Sequence, residues 1–133
     1  MKVVLLLGEA ATVHPDGTVS ILRAGITHVW GPTLPISLIG ALVVKIDADA
    51  SESGHPHTVE VRVIDADGKD IAPRIKGNFQ VGAGGGSSTI ILSFQMAFPK
   101  YGAYDFSTII NGMKYDSIGV RVAPPPQAKG DNK

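Results

Sequence analysis

Strict alternation of apolar and polar residues marks the stretch from Thr58 to Val81 as two strands joined by a turn. Valine occupies every second position of the first run, and the second run alternates in the same way after Asp65–Lys69. A period of two residues is typical of a strand that turns one face to the core. The pattern therefore predicts an antiparallel hairpin around which the rest of the chain is arranged.

The length of the turn sets the register that we expect for this hairpin. Val63 should lie opposite Ile71, and Glu60 should lie opposite Arg74, where the two side chains form a favourable cross-strand pair. Pro73 has no N–H to donate, so its side of the strand should be an edge or contain an irregularity.

Two other apolar runs have the lengths of strands. Val3–Leu7 is apolar on both faces, which predicts a buried first strand, and it is shorter than the ~7–15 residues of a signal-peptide core. Ile36–Val44, the longest apolar run, is shorter than the ~18 residues needed to span a bilayer. We expect no contact with a membrane and a cytoplasmic location, with a virion as the alternative setting.

A second hairpin is expected near the end of the chain, at Asn111-Gly112. That dipeptide is the strongest sequence signal for a two-residue loop. Such a loop would pair Phe106 with Ser117 and would place apolar residues of the last strand on the polar face. Either a three-residue loop or a bulge near Asp116–Ser117 would restore the pairing of Phe106 with Ile118.

Two loops are predicted between the strands. Gly82–Ser88 is rich in glycine, but a phosphate-binding loop needs a helix immediately after it, and the residues that follow alternate as a strand. Asp47–His55 is polar. Loops on a rigid scaffold often carry binding residues, so we expect a working surface formed by Asp47, Asp49, Glu52, His55, Gly84, Gly85 and Gly86.

The spacing of the turns predicts an all-β protein with roughly eight or nine strands. Residues 1–122 should form a single domain, followed by a flexible, proline-rich polar tail over residues 123–133. The closing Gly-x-Tyr-x-Phe segment, Gly102–Phe106, resembles the strand-F signature of immunoglobulin-like domains. The resemblance implies an immunoglobulin-like antiparallel β-sandwich in which Tyr104 closes a corner and Phe106 stands where a core cysteine often lies.

The chain as a whole is similar to a family of small uncharacterised bacterial β-sandwich proteins. The shared features are an opening strand followed by a Pro-Asp-Gly turn, a central Asp-x-Asp-Gly hairpin and the closing Gly-x-Tyr-x-Phe strand. The similarity implies a sandwich fold and brings no known activity with it.

Charge and composition narrow the function classes. Twelve basic and twelve acidic residues cancel, so no net charge draws the chain to nucleic acid or to an anionic membrane. The chain has no cysteine, which excludes disulfides, thiolate zinc sites and cysteine nucleophiles.

The candidate metal ligands are few. Asp65, Asp67 and Asp70 surround a glycine, as in calcium-binding loops, but the bidentate glutamate of the full calcium motif is missing and the same residues suit a tight turn. His55 and His57 form the one close histidine pair, and two imidazoles without a third ligand hold zinc weakly. We interpret the histidines as a solvated pair at the entrance of a strand.

No catalytic motif accompanies these residues. The serines lack a nucleophile-elbow setting and no spacing places two carboxylates in a cleft. We therefore expect a non-enzymatic binding or structural module that acts through contacts with a protein partner, without a cofactor, as an accessory protein of a larger bacterial or phage assembly. The alternative is a calcium- or carbohydrate-binding sandwich with an acidic loop end.

Overall fold

The computed structural model describes residues 1–126, so most of the predicted tail lies outside the described residues. The ten strands of the described region are β1 Lys2–Gly8, β2 Ala10–Val13, β3 Val19–Leu22, β4 His28–Trp30, β5 Ile36–Ala48, β6 Pro56–Ile64, β7 Ile75–Gln80, β8 Gly86–Phe98, β9 Gly102–Ile110 and β10 Met113–Ala123. A single 3-10 turn at Ala50–Glu52 interrupts them. The all-β prediction is confirmed, with ten strands in place of eight or nine. No helix among residues 1–126 is long and apolar enough to cross a membrane.

The strands form three sheets. One has the order β1-β5-β8, the second has the order β4-β10-β9-β6-β7, and β2 with β3 makes a separate hairpin. All neighbours are antiparallel except β4 and β10, which run parallel. One core lies between the three-stranded and five-stranded sheets, and its members come from both. Phe98, Phe106, Leu42, Ile46 and Ile110 are among its largest fully buried side chains.

The organising hairpin is β6–β7, and its observed register differs in part from the predicted one. Near the turn Ile71 donates its N–H to the oxygen of Val63, as expected, at 3.1 Å. Further along, Val61 pairs with Ile75, two residues out of the expected register. The chain leaves the ladder around Pro73, which has no N–H, so the expected irregularity is confirmed and absorbs two residues.

The pairing of charges across this hairpin survives that shift. Glu60 forms an ion pair with Arg74, with 3.6 Å between Oε2 and Nη1. In the ladder it lies opposite Lys76. A slip of two residues leaves every side chain on its original face, because the period of a strand is two. Phe79 and Val81 are accordingly buried, as the alternation predicts.

The last hairpin joins β9 to β10 through the two-residue loop Asn111-Gly112, both residues having positive φ. The three-residue loop is therefore wrong, and the predicted bulge is confirmed between Lys114 and Ser117. Beyond it Phe106 pairs with Ile118. The bulge inserts the residue that returns the apolar side chains of β10 to the core face.

Tyr104 occupies the corner between β8 and β9. It is 3% exposed, and its hydroxyl donates a hydrogen bond to the oxygen of Lys100 at 2.7 Å and accepts one from the Lys100 N–H at 3.2 Å. The predicted tyrosine corner, with a bond to backbone a few residues upstream, is confirmed.

The first strand is not buried on both faces, as its composition had suggested. Leu5 and Leu7 point into the core, whereas Val4 is 43% exposed and Leu6 is 39% exposed on the outer face. β1 is an edge strand of a sheet whose outer face is covered only in part, by the β2–β3 hairpin. Under that hairpin Val43 of β5 is buried.

Candidate functional site

The two predicted binding loops meet at one end of the molecule. A Cβ atom added at Gly85 would lie 2.6 Å from the oxygen of Ala48 and 2.8 Å from the nitrogen of Ala50. Ser87 also donates a hydrogen bond to the Asp47 carboxylate. Only glycine allows this approach, and Gly85 also has a positive φ of 77°. The glycine-rich segment is thus seated on the acidic loop, and the pair forms one surface, which we call the loop end.

The acidic residues of the loop end are engaged in local contacts. Glu52 accepts the backbone N–H of Asp49 at 2.9 Å, closing a capping box over the 3-10 turn. The amino terminus of Met1 lies 3.5 Å from the same carboxylate. The Asp49 N–H is the main cause that lowers the pKa of Glu52 below its ordinary value. These contacts shape the loop.

The buried side chain of His57 bonds to the loop end. The ring is 2% exposed, stacks on Phe79 with centroids 5.1 Å apart, and its Nε2 lies 2.7 Å from the oxygen of Glu52. Its Nδ1 lies 2.8 Å from the amide nitrogen of Asn111. Because a carbonyl only accepts and an amide NH₂ only donates, the bonds assign the neutral ring with its proton on Nε2.

The interpretation of His55 and His57 as a solvated pair is wrong for His57. His55 is exposed, as expected for a solvated residue, with its ring centroid 4.4 Å from that of His57. His57 is a buried structural residue of the strand β6. His57 begins the series of β6 side chains that face the core, and it is buried because the loop containing Glu52 lies over it. That contact depends on the tertiary structure.

A cleft opens beside His55. It has a volume of about 390 Å³ and mixed polar and apolar walls, formed by Ser53, Gly54, His55, Pro56, Gln80, Val81 and Ala83. Gly84 and Gly86 are exposed near it. The Asp47 carboxylate accepts from the Ser87 hydroxyl, and the Asp49 carboxylate accepts from the Glu52 backbone. The predicted loop residues therefore share one end of the molecule, but they do not converge on one point.

The aspartates of the β6–β7 turn lie at the opposite end of β6 from this loop end. The Asp65 carboxylate accepts the N–H of Lys69 at 3.0 Å and that of Asp67 at 2.9 Å. These bonds lower the pKa of Asp65 below its ordinary value, and the bond from Lys69 has the larger effect. Asp70 pairs with Arg62 at 2.6 Å.

The turn therefore uses its carboxylates as turn and ion-pair partners. Asp67 adds an ion pair with Lys100 at 3.9 Å. No group of three or more histidine, cysteine, aspartate or glutamate side chains that could hold a metal ion occurs within residues 1–126. A nine-residue strand, roughly 30 Å long, separates this turn from Asp49 and Glu52, so the two acidic groups do not combine.

A second surface was not foreseen from the sequence. The β2–β3 hairpin lies over the outer face of the three-stranded sheet and leaves an apolar groove of about 390 Å³. Its walls are Val4, Leu6, Gly17, Thr18, Val19, Ile21, Val43, Lys45 and Thr89. Lys45 is the one charged residue among them. We call this surface the outer groove.

The outer groove has a sequence signal that was open to two interpretations. The apolar parity of Val4 and Leu6 fits a strand covered on both sides, or an edge strand with an exposed apolar face. The chain bends at Glu9, between β1 and β2. A Cβ at Gly8 would lie 2.6 Å from the Ile21 side chain, so glycine lets the hairpin pack closely against the end of β1. Where that hairpin comes to rest is set by packing.

Comparison with known proteins identifies a family. A family model described as a family of unknown function, DUF6941, matches residues 3–123. No curated protein and no solved structure matches the chain.

Proposed function

The chain belongs to this family of unknown function, DUF6941, and we propose that it is a non-enzymatic module that binds a protein partner through the outer groove. The observation that carries the proposal is the exposure of Val4 and Leu6 on the outer face of a sheet. Apolar side chains gathered on a rimmed surface are typical of sites that bind proteins.

The chemistry of the groove favours an apolar protein side chain over other ligands. Nucleic acid needs clustered basic groups, and Lys45 is the one cation on these walls. A calcium ion needs six to eight oxygen ligands, which aliphatic walls do not supply. An apolar side chain inserted between Leu6 and Ile21 would gain about 25 cal/mol for each Å² that it removes from water.

The proposal also covers the structural class to which the fold is related and the assembly in which the protein acts. The corner bond from Tyr104 to Lys100 supports a kinship with immunoglobulin-like sandwiches, although the parallel β4–β10 pair and the ten strands depart from that plan. The setting that we propose is an accessory protein of a larger bacterial or phage assembly, in the cytoplasm or on a virion.

The test is a pull-down from an extract of the source cell with the purified protein as bait. We expect a partner that the wild type recovers and that Leu6→Lys loses, because the charge would lie within the apolar wall. The control is Met113→Lys, which places the same charge at an exposed apolar position on the other sheet, 66% exposed against 39% for Leu6. Loss with both variants, or no partner with the wild type, contradicts the proposal.

A calorimetric titration with calcium chloride tests the alternative of a cation-binding loop end. Our proposal predicts no heat of binding and no rise in Tm. A calcium-dependent rise in Tm that Asp49→Asn abolishes would favour the alternative, since a ligand that binds the folded state stabilises it.

A further inference from the structure

β8 forms one edge of the three-stranded sheet over thirteen residues, all paired with β5 without a shift in register. The strand contains no charged residue and no proline. No other strand of residues 1–126 pairs with its second side. Proteins protect such edges with charges, prolines, bulges or coverings. β8 has none of the first three. β7 and β2 pack near it, but within residues 1–126 neither pairs with it, so its backbone edge is open to another strand.

The opposite edge of the same sheet is covered. In β1 the Leu5 N–H donates to the Asp116 carboxylate at 3.3 Å. The oxygen of Leu7 accepts the N–H groups of Gly25 and Ile26 at 2.9 and 3.0 Å. The Leu5 N–H and the Leu7 oxygen, which face away from β5, are thus already bonded, and a further strand would have to displace these partners.

The five-stranded sheet also has protected edges. β7 follows Pro73 and carries Lys76, a residue type that discourages edge pairing. On the other side β4 has only three residues, and the exposed part of β10 contains the bulge between Lys114 and Ser117. Among the outer strands of the two large sheets, β8 is therefore the long, regular and uncharged one.

We propose that β8 pairs antiparallel with β8 of a second copy of this chain, which joins the two three-stranded sheets into one continuous sheet. The contact uses the backbone edge of β8, a strand that shares one residue, Thr89, with the walls of the outer groove, and the inference goes beyond the function proposed above. It concerns the assembly of the chain with itself, so it stands or falls independently of any other partner.

Three observations favour a second copy over a foreign strand. An antiparallel strand meets its own copy about a two-fold axis with the same groups on both sides, the commonest symmetry of protein dimers. The formal net charge of the chain is zero, so two copies approach without net repulsion. An uncharged edge also offers no charge pattern by which to select a different partner.

Half-exposed apolar side chains accompany the open backbone. Ile90 and Phe94 point inward by parity but remain partly exposed at the corner next to β7, and Ile91 is partly exposed on the outer face. A copy paired along β8 would cover side chains on both faces of the strand. The contact would therefore add apolar burial to the backbone hydrogen bonds.

The free backbone groups belong to alternate residues. Leu5 and Leu7 direct backbone groups away from β5, so the even-numbered residues of β1 bond to β5. Following that alternation through the β5–β8 register assigns the free edge to the odd-numbered residues of β8. A symmetric pair must therefore match odd residues with odd residues.

Side-chain matching selects one register within that rule. A two-fold axis at Ile91 places Ile91 opposite its own copy and Thr89 opposite Ser93, so that β-branched and hydroxyl side chains meet their own kind. An axis at Ser93 would instead place Ile91 opposite Gln95. Axes at Ile90 or Leu92, which also match odd with odd, would place it opposite the polar Thr89 or Ser93. We therefore assign the axis to Ile91.

The size of the contact predicts a weak dimer. Eleven paired residues span roughly 37 Å, and a width of about 10 Å gives on the order of 400 Å² on each copy. The total is below the ~1,200 Å² of stable interfaces. We expect a dissociation constant on the order of 10–100 µM, with the dimer populated at high protein concentration.

Cysteine cross-linking tests both the contact and its register, because the chain has no cysteine of its own. In the proposed dimer the two Ile91→Cys positions lie about 5.5 Å apart between Cα atoms, within the range of roughly 4.4–6.8 Å for a disulfide. We expect rapid dimer formation under mild oxidation. The matched variant Thr89→Cys should not form it, because its two copies lie ~14 Å apart along the strands.

Sedimentation velocity without oxidation provides the second measurement. The wild type should shift from monomer to dimer between about 5 µM and 500 µM. Ser93→Pro removes an edge N–H and should remain monomeric, and Ile91→Lys should do the same by opposing two cations. Ile39→Lys, a 66% exposed position on the central strand of the same sheet, should dimerise like the wild type. Circular dichroism confirms that each variant is folded.

A wild type that stays monomeric throughout this range would overturn the proposal. Cross-linking of Thr89→Cys as fast as Ile91→Cys would overturn the register and the pairing together, since it indicates random collision. A dimer that Ser93→Pro and Ile91→Lys leave intact would show that the copies meet elsewhere.

Discussion

The two ends of the molecule are each held by one buried polar ring, and the two rings find their partners at very different distances along the chain. Tyr104 bonds to Lys100, four residues upstream, through both the oxygen and the N–H of that residue. His57 bonds to Glu52 and to Asn111, which lies 54 residues away. A corner with local partners is visible in a sequence motif, whereas a network with distant partners is not.

The same contrast separates the loops that these rings support. At the Tyr104 end the turn Asp65–Lys69 satisfies its own backbone through Asp65. At the His57 end the loop after β5 rests on Gly85 and on a histidine of the next strand. The first end is built from local hydrogen bonds, and the second end depends on the rest of the fold.

The largest expected effect is that of His57→Leu. The variant leaves the oxygen of Glu52 and the amide of Asn111 without a partner and loses the stacking on Phe79, so the free energy of unfolding should fall by about 3 kcal/mol. Urea denaturation measures the loss. His55→Leu, at the exposed neighbour, should remain within about 0.5 kcal/mol of the wild type. A loss below about 1 kcal/mol for His57→Leu would mean that the ring does not hold the loop end.

Asn111→Gly should have the next largest effect. Asn111 bonds His57 and also accepts the Thr58 N–H at 3.1 Å, while its backbone has a positive φ of 51°. Glycine keeps that backbone conformation and removes both side-chain bonds, so a loss of about 2 kcal/mol is expected. Hydrogen exchange should accelerate in Ala50–Glu52. Asn78→Ala on exposed β7 is the control, and equal losses in both would contradict the coupling.

Tyr104→Phe should cost about 1 kcal/mol, because the ring remains and only the bonds to Lys100 are removed. Tyr115→Phe, at an exposed ring, should be close to neutral. The double variant His57→Leu with Tyr104→Phe tests whether the two ends are independent. If they are, its loss in free energy of unfolding should equal the sum of the two single losses within about 0.5 kcal/mol. A larger departure would show that the two ends communicate.

The smallest effect is expected from acid. The pKa of Asp65 is lowered in the folded state by the N–H groups of Lys69 and Asp67, so its stabilisation is complete above the unfolded pKa, close to 3.8. It should be lost as the pH falls through the lower folded value. The difference in stability between wild type and Asp65→Asn should therefore narrow below pH 3.8. If the stability difference between wild type and Asp65→Asn widens in acid, the pKa of Asp65 is raised in the folded state and the prediction is wrong.

Several elements could be predicted because their causes are local. The alternation from Thr58 to Val81 placed the hairpin and its buried face, and the parity conflict after Asn111 required a bulge. The register slip at Pro73 shows the limit of this approach. A missing N–H predicts that the ladder is interrupted, but the number of residues that leave it depends on how Ile75 and Phe79 pack against the opposite sheet.

The candidate sites were predicted less well. The sequence marked the loops Asp47–His55 and Gly82–Ser88 separately, and their contact at Gly85 arises because β5 and β8 are neighbours in one sheet. The outer groove was missed because an apolar run does not say whether one face or both faces are covered. The position of the β2–β3 hairpin decides how much of the outer face is covered, and that position is set by tertiary packing.

By itself the sequence determined most of the strands, the apolar face of those that alternate, and where Tyr104 closes a corner. These properties follow from interactions between residues near one another along the chain, so a short window of sequence contains their cause. The tertiary structure decided that His57 is buried, that the two loops meet, and that Val4, Leu6 and the edge of β8 remain open. Those outcomes depend on which strands become neighbours, and that choice is made by the packing of the whole core.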